Sequence, residues 1–279
     1  MAPPMKVPTM ATLQAPASWA VVDFISDLHL RAQEPANFDA FSRYLKSTPA
    51  DAVFMLGDVF EVWVGDDVID DNVGLNRRFE ALCADEMSAA GERLALFFMH
   101  GNRDFLVGQT LMNRCHATLL ADPTVLQFAG QNCLLSHGDA LCLADTEYLA
   151  FRQQVQQAPW QQAFLARPLA EREAIALALR AQSQARHKEG AAYAEVDSTA
   201  AVQWLQAAGA KTLIHGHTHR PAVHDLKLSG KPGVRIVLGD WQDFGWFVRI
   251  AAGKAVLHSL DLSAGLPEPK SAQGLKGSK

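Results

Sequence analysis

Five short segments that carry metal-binding residue types each follow an apolar run with the length of a β-strand. Helical patterns separate the first three of these runs, and this alternation is typical of an α/β domain. The side chains offered are two carboxylates, one amide and four imidazoles: Asp27, His29, Asp58, Asn102, His137, His217 and His219. Because ligands of α/β sheets bind beyond the carboxyl ends of strands, we expect the seven groups to share one site.

The order of the apolar runs predicts a mixed sheet, or two stacked sheets flanked by helices. A short polar break between two of the runs predicts a hairpin, and helical spacing is predicted around Phe38 and from Leu75 to Ala90. The predicted strands lie at 21–26, 52–56, 94–99, 124–128, 132–136, 212–215, 234–238 and 246–250.

Residues from about 141 to 200 differ from the rest, since they are rich in Ala, Gln, Arg and Leu with almost no strand pattern. We interpret them as a helical insertion that overhangs the site, because candidate ligands lie on both sides of it. Residues 1–19 and 264–279 are predicted to be a flexible N-terminal extension and a flexible tail, owing to their Pro content and polarity. The predicted domain therefore covers 20–263, including the insertion as a cap.

Composition narrows the possible functions. The net charge of −5 over 279 residues argues against a general nucleic-acid binder, which would usually be basic. The four cysteines form no CxxC pair, so they are predicted to be reduced and buried in a cytosolic protein. No signal peptide is recognisable, and no apolar run approaches the roughly 18 residues of a membrane helix. We therefore expect a soluble or peripheral protein.

The donor set indicates a dinuclear metal site. Oxygen and nitrogen donors without thiolate suit Mn²⁺, Zn²⁺ or Fe²⁺. Seven donors exceed the needs of one tetrahedral site, whereas two adjacent ions that share a carboxylate would use them. Asp27 and His29 can point to the same side of a strand end, and Asp58 can bridge two ions. Arg103, directly after Asn102, can add a cationic fork against a phosphate.

The motifs DLH, GD, GNRD, HGD and GHTH, in this order over residues 23–220, resemble those of the calcineurin-like metallophosphoesterase superfamily. This resemblance implies an α/β fold, a four-layer αββα sandwich with a helical cap, and two Mn²⁺ ions. The longer stretches GDVFEVWVGDD, HGNRDFLVG and LIHGHTHRPAVH resemble members that cleave the pyrophosphate between a nucleotide and a diacylated amino sugar. Water would attack the α-phosphorus, and the enzyme would lie peripherally on the cytoplasmic side of the inner membrane.

The resemblance also implies roles for individual residues. One metal would be held by Asp27, His29 and His219, the other by Asn102, His137 and His217, with Asp58 as the bridge. Catalytic roles fall to Asp58, Asn102 and Arg103. Substrate contacts are implied for Asn102, Arg103, Asp145, Ser183, His187 and His217. Relatives often have another polar residue at His187, and some have Lys at Gly190, so that contact is either missing or moved to Lys188.

Arg103 stands where many members of the superfamily have a His that can protonate the leaving group. Its guanidinium does not readily give up a proton, since its pKa lies above about 12. A pyrophosphate leaving group is already a weak base and needs charge neutralisation more than a general acid. The residue therefore favours cleavage of a phosphoanhydride over that of an ordinary alkyl phosphoester.

Several alternatives stay open. The acidic run after Trp63 is interpreted as a solvated loop. The arginines of the insertion either form a solvated helix face or bind the diphosphate and nucleotide of the substrate. Another phosphoesterase acting on nucleotides or phosphodiesters would keep the metals and change the cap. A non-enzymatic scaffold tends to lose ligands, and none is lost here. The residues concerned are Asp66, Asp67, Asp70 and Asp71 in the run, and Arg152, Arg167, Arg172, Arg180 and Arg186 in the insertion.

Overall fold

The computed structural model describes residues 7–70, 78–188, 194–262 and 270–271, with the backbone alone for 182–188 and 270–271. The described part contains two β-sheets, helices on their outer faces and three consecutive helices in the predicted cap region. No helix in these ranges combines the length and apolarity that crossing a bilayer requires.

Within the described ranges, thirteen strands form the two sheets, seven in one and six in the other. The seven-stranded sheet has the order β13-β12-β11-β2-β3-β4-β5, and the six-stranded sheet β1-β6-β7-β8-β10-β9. In chain order the strands are β1 (Ala11–Gln14), β2 (Val21–Ile25), β3 (Ala52–Leu56), β4 (Ala95–Met99), β5 (Ala117–Leu120), β6 (Thr124–Phe128), β7 (Gln131–Leu135), β8 (Thr212–His215), β9 (Ala222–Leu228), β10 (Lys231–Val237), β11 (Phe244–Ala251), β12 (Lys254–Asp261) and β13 (Lys270–Ser271).

Seven α-helices are described: α1 (Pro35–Ser47), α2 (Phe79–Gly91), α3 (Gln109–Arg114), α4 (Thr146–Val155), α5 (Ala158–Leu165), α6 (Leu169–Lys188) and α7 (Ser198–Ala207). The predicted second helix is confirmed from residue 79 onwards, while 71–77 lie outside the described residues. The predicted hairpin is confirmed as the antiparallel pair β6–β7.

The central strands are buried on both faces, which explains why they are almost continuously apolar in sequence. In β3, Phe54 points into the layer between the sheets, where it stacks on Phe24 and Phe97. Its neighbours Val53 and Met55 point the other way, towards α1, α2 and α3. The six-stranded sheet is covered on its outer face by α7. The predicted four-layer αββα sandwich is therefore confirmed.

Helices α4, α5 and α6 form the part of the predicted cap that lies outside the sandwich. Trp204 of α7, by contrast, is buried against the six-stranded sheet, so this helix is one of the four layers. Two cap arginines are paired with carboxylates: Arg172 of α6 is buried and pairs with Asp67, and Arg152 of α4 is half-buried and pairs with Asp139. A solvated helix face is therefore wrong for these two arginines.

Two residues of the acidic run after Trp63, Asp66 and Asp67, make structural contacts, whereas Asp70 is exposed. The carboxylate of Asp66 accepts hydrogen bonds from the backbone N–H groups of Gly108 and Leu111, both at 2.9 Å, and so holds the start of α3. Because Asp67 binds the cap, neither residue belongs to a free solvated loop. Asp71 lies outside the described residues.

The predicted flexible extension is wrong for residues 11–14, because they form β1, which pairs in parallel with β6 at the edge of a sheet. Residues 1–6 lie outside the described part. In the predicted tail, Lys270–Ser271 pair with β12, and the remaining residues from 264 onwards are outside the described ranges.

Candidate metal centre

The first cluster of candidate ligands joins the ends of β2 and β8. The Nε2 atom of His219 lies 3.2 Å from Oδ1 of Asp27 and 3.2 Å from Nε2 of His29. The ligand atoms of these three residues all lie within 4.8 Å of one another, although residue 219 is far away in sequence. The predicted grouping of these side chains is thus present in the fold.

The second cluster is centred on the amide oxygen of Asn102. This Oδ1 atom lies 3.0 Å from Nε2 of His137 and 2.9 Å from Nδ1 of His217. Oδ1 of Asp58 lies 3.8 Å from Nε2 of His137, and Asp58, Asp27 and His137 form a second group with ligand atoms within 4.8 Å of one another. The structure therefore brings all seven predicted ligand residues together at one edge of the sandwich.

Strained backbone accompanies this convergence. Five of the seven residues have positive φ angles: Asp27 (54°), His29 (49°), Asp58 (53°), His217 (66°) and His219 (54°). Asp and His tolerate this left-handed region better than most side chains, yet each such residue is uncommon. A concentration of them at strand ends is typical of a functional site whose surroundings hold the backbone in place.

Two glycines allow the loops to approach each other. A Cβ atom on Gly101 would lie 2.1 Å from Oδ1 of Asp58, and one on Gly216 would lie 2.1 Å from Oδ2 of Asp27. Any side chain at either position would displace a candidate ligand. Glycine is therefore required here by close packing against the carboxylates.

The carboxylate of Asp104 links two ligand loops and was missed by sequence reasoning. It is fully buried and accepts hydrogen bonds from the backbone N–H groups of Val59 and Gly101, both at 2.8 Å, with longer bonds from Asp58 and Phe60. It thereby holds the loop after β3 against the loop after β4. Its place directly after the GNR tripeptide was the only sequence signal.

Electrostatics favour a cation at the centre. Burial alone would raise the pKa of Asp27, but the hydrogen bond from His219 and the surrounding imidazoles hold it well below its ordinary value. Burial opposes protonation of His137, yet the carboxylates of Asp58, Asp139 and Asp27 raise its pKa to about 9. Burial lowers the pKa of His29 to about 4. The neutral imidazole is the form that binds metal, so His29 is already in this form, whereas His137 would release its proton when a cation binds.

The orientation of the His137 ring also fits metal binding. Nδ1 of His137 is 2.9 Å from the backbone oxygen of Leu56, so Nε2 faces Asn102 and Asp58. Outer contacts of this kind fix the tautomer of a metal-binding histidine. Oxygen and imidazole donors without thiolate match hard to borderline divalent cations.

Arg103 lies beside the candidate ligands, as expected for the residue that directly follows Asn102. Its backbone N–H donates to Oδ1 of Asp58 at 2.9 Å, and its Nε atom lies 3.7 Å from Oδ2 of the same carboxylate. The guanidinium is partly exposed, with 22% of the side chain accessible. It is therefore available to an anionic group that enters the site.

The remaining predicted substrate contacts are on the cap. Asp145 is exposed and caps α4, since its side chain accepts a hydrogen bond from the N–H of Tyr148 at 3.0 Å. Ser183 and His187 lie on α6, as does Lys188, but their side chains are outside the described part of the chain. Gly190 is outside the described residues altogether.

Tyr148 and Asp139 are site residues that the sequence did not reveal. The ring of Tyr148 stacks on His217 with centroids 5.9 Å apart, and its hydroxyl donates to the buried carboxylate of Asp139. The Nε group of Arg152 donates to the same carboxylate at 2.7 Å. Helix α4 is thus fixed to the loop that carries His137.

All seven candidate ligands lie in a part of the chain that matches a known protein family. Residues 20–221, more than half of the chain, match the model of the calcineurin-like phosphoesterase family. The chain belongs to this family, a class of metal-dependent hydrolases. It is 45% identical over 242 residues to UDP-2,3-diacylglucosamine hydrolase of Cellvibrio japonicus, covering 86% of this chain and 98% of the relative. It is 42% identical to the protein of the same name from Xanthomonas axonopodis pv. citri, with the same two coverages.

A solved structure that resembles this chain is Vacuolar Protein Sorting 29 from Cryptosporidium parvum. The TM-score is 0.47 at 15% sequence identity, and the alignment covers 91% of this chain and 97% of that one. The family resemblance predicted from the motifs is confirmed by the family match and the curated relatives.

Proposed function

We propose that this chain hydrolyses the pyrophosphate of UDP-2,3-diacylglucosamine, with UMP and 2,3-diacylglucosamine 1-phosphate as products of a step in lipid A biosynthesis. The observation that carries the proposal is the convergence of seven oxygen and nitrogen donors at strand ends of both sheets. The curated relatives support the choice of substrate, since they are named as hydrolases of this compound and are covered over 98% of their length.

Two divalent cations are proposed to bind at the centre. Asp27, His29 and His219 would hold one, Asn102, His137 and His217 the other, and Asp58 would be shared. When bound, such ions lower the pKa of water and neutralise charge on phosphoryl oxygens. We propose Mn²⁺ as the metal, because the donors are hard to borderline and include no thiolate.

Arg103 is proposed to bind the pyrophosphate together with the amide of Asn102. A guanidinium stays protonated throughout, so it offsets developing negative charge instead of transferring a proton. With attack of water on the α-phosphorus, the departing group is the sugar 1-phosphate, which is a weak base. The departing sugar phosphate therefore needs charge neutralisation by Arg103 and no proton donor.

The surface between the centre and α4 combines polar and apolar side chains, around a cavity of about 10 Å³ that is itself too small for an acyl chain. The polar part of this surface includes Asn102 and Tyr148, whereas Phe105, Phe151 and Val155 give it an apolar part. Phe105 continues into the cap through Trp160, with ring centroids 6.1 Å apart. Acyl chains require an apolar surface beside a polar reaction centre. Asp145, Ser183, His187 and His217 are proposed as additional substrate contacts.

The direct test is incubation of the Mn²⁺-loaded protein with UDP-2,3-diacylglucosamine and measurement of UMP. Release of UMP by wild type, and none by Asp58→Ala, is the expected result. Reaction in ¹⁸O-labelled water should place the label in UMP. Label in the sugar phosphate would instead mean attack on the other phosphorus.

A substrate panel separates this proposal from the broader phosphoesterase alternative. Nitrophenyl phosphodiesters and free nucleotides should be hydrolysed much more slowly than the lipid-linked substrate. Folded, metal-loaded protein that turns over the simple esters but not UDP-2,3-diacylglucosamine would refute the substrate while leaving the metal centre standing.

The lipid substrate also motivates the proposed location, peripheral attachment to the cytoplasmic side of the inner membrane, with no nucleic-acid partner. Cosedimentation of the protein with vesicles of bacterial phospholipid tests this attachment. Protein that remains in the supernatant at all lipid concentrations would rule it out.

A further inference from the structure

Glu61, on the loop after β3, is the acidic side chain on which the metal centre and the cap meet. Its Oε2 atom lies 3.1 Å from Nδ1 of His29. Its other oxygen, Oε1, contacts Nη1 of Arg180 on helix α6, and that Nη1 also donates to the backbone oxygen of Glu61 at 3.0 Å. One residue thus touches both a candidate metal ligand and the longest cap helix.

Two further arginines surround the same carboxylate. Nη1 of Arg31 lies 3.6 Å and Nη1 of Arg103 lies 3.9 Å from Oε1 of Glu61. Only 13% of the Glu61 side chain is accessible to solvent, so these interactions are less screened than those of a surface ion pair. Arg31 also pairs with Glu34, and Arg103 with Asp58, so three guanidinium groups and three carboxylates form one ion-pair network beside the centre.

The contact with His29 concerns the ring nitrogen that faces away from the centre. Nε2 of His29 lies 3.2 Å from Nε2 of His219, on the side of the candidate ligands. Nδ1 is buried, and the described residues offer it no aligned hydrogen bond, which leaves the carboxylate of Glu61 as its close polar neighbour. Carboxylates placed in this way orient a metal-binding imidazole and raise its basicity.

We propose that Glu61 is a positioning residue that couples metal binding to the placement of the cap. Its carboxylate holds His29 with Nε2 turned towards the centre while it holds α6 through Arg180. This inference rests on the proposed metal centre and extends it to the cap. In this role Glu61 acts through His29 and Arg180 and does not contact the reacting atoms.

Coupling of this kind is reciprocal by thermodynamic necessity. If the same carboxylate serves His29 and Arg180, then ordering of the His29 ring by a bound metal also orders Glu61 and the helix attached to it. Addition of Mn²⁺ should therefore protect the backbone of α6 from hydrogen exchange, although the metal does not touch this helix.

The first measurement is titration of metal-free protein with Mn²⁺ by calorimetry. Glu61→Gln keeps the shape of the side chain and removes its charge, and we expect it to weaken Mn²⁺ binding about 10-fold, the lower end of effects seen for outer-sphere partners. Glu61→Asp, which keeps the charge but shortens the side chain, should restore part of the affinity and carries the same test if Glu61→Gln does not fold.

The second measurement is hydrogen–deuterium exchange over residues 174–188 with and without Mn²⁺. Wild type should show slower exchange in this segment when the metal is added, and Glu61→Gln should lose most of that protection. This readout does not depend on catalysis, so it remains informative if the substrate has been assigned wrongly.

Asp67→Asn is the matched control, because Asp67 binds the same helix through Arg172 but touches no candidate ligand. It should increase exchange at the start of α6, where Arg172 lies, keep the contact between Glu61 and Arg180, and leave the Mn²⁺ affinity within about two-fold of wild type. Wild-type affinity in Glu61→Gln, or protection of α6 by Mn²⁺ that survives in it, would overturn the coupling. Failure of wild type itself to bind Mn²⁺ would instead contradict the metal centre.

Discussion

The Nδ1 atom of His137 lies 2.9 Å from the backbone oxygen of Leu56, the last residue of β3 in the opposite sheet. A carbonyl oxygen only accepts, so Nδ1 carries a proton and Nε2 is directed at Asn102. This bond crosses from one sheet to the other at the edge where the ligand loops meet. The orientation of His137 therefore depends on how the two sheets are stacked.

Replacing Asp58 with Ala should abolish turnover. Asp58 is buried, lies beside Asp27 and His137, and accepts a hydrogen bond from the backbone N–H of Arg103, so its loss would remove the proposed shared anionic ligand. Metal content by mass spectrometry should fall, while the far-UV circular dichroism of the metal-free protein stays close to wild type. Retained activity would show that another group is the shared ligand.

Replacing Arg103 with Ala should lower kcat/KM about 10²-fold, the usual effect of losing one charge-stabilising donor. Metal content should stay at the wild-type level, because the backbone N–H that contacts Asp58 remains. Arg103→Lys should recover only part of the rate, since an ammonium group lacks the planar fork. A fully active alanine variant would remove Arg103 from the substrate-binding residues.

Asp104→Asn should weaken both the fold and metal binding. The amide would place an NH₂ group opposite backbone N–H donors that now reach Oδ2 or Oδ1, which leaves buried donors unsatisfied. We expect a loss of about 2–4 kcal/mol in the free energy of unfolding, measured by urea titration. Asp66→Asn is the control, because it removes comparable bonds at α3 and should leave the metal affinity unchanged. Equal effects of both variants on affinity would argue against a specific role of Asp104.

Removal of metal should destabilise the protein reversibly. Asp27 and Asp58 hold negative charge at one buried site, so a cation that binds only the folded state stabilises it by mass action. At a free Mn²⁺ concentration 100 times Kd, each site should contribute about 2.7 kcal/mol. Calorimetry before and after chelation measures this shift in Tm. A Tm unaffected by chelator and by added Mn²⁺ would contradict metal binding.

Deletion of residues 1–14 tests the ordered N-terminal strand. The deletion removes β1 and exposes the edge of β6, together with apolar surface that packs against Leu13. We expect the free energy of unfolding to fall by about 1–3 kcal/mol, with activity at 25 °C retained because β1 carries no candidate ligand. An unchanged free energy of unfolding would mean that β1 contributes nothing.

The sequence was sufficient for those parts of the site that follow from local pattern. Asp58 and Asn102 come two and three residues after the ends of strands whose apolar runs are buried on both faces, so strand ends and ligand motifs could be recognised together. The family motifs added the grouping of the ligands. The distance of 3.2 Å between the Nε2 atoms of His29 and His219 agrees with that grouping.

Interactions between distant residues were not predictable in this way. The polar extension around Thr12 carries no strong strand pattern, and it becomes β1 only because β6 offers an unpaired edge. Similarly, Asp66 and Asp67 look like a solvated acidic loop until α3 and Arg172 are placed beside them.

The amino-acid sequence by itself determined eight of the thirteen described strands, the seven donor side chains and the class of chemistry, because these depend on residue type and short-range spacing. Tertiary structure alone decided that Asp104 holds two ligand loops together and that Glu61 meets both His29 and Arg180. In the unfolded chain a carboxylate is solvated by water and has no fixed hydrogen-bond partner. After folding, its role is set by the donors that the packed layers bring within hydrogen-bonding distance.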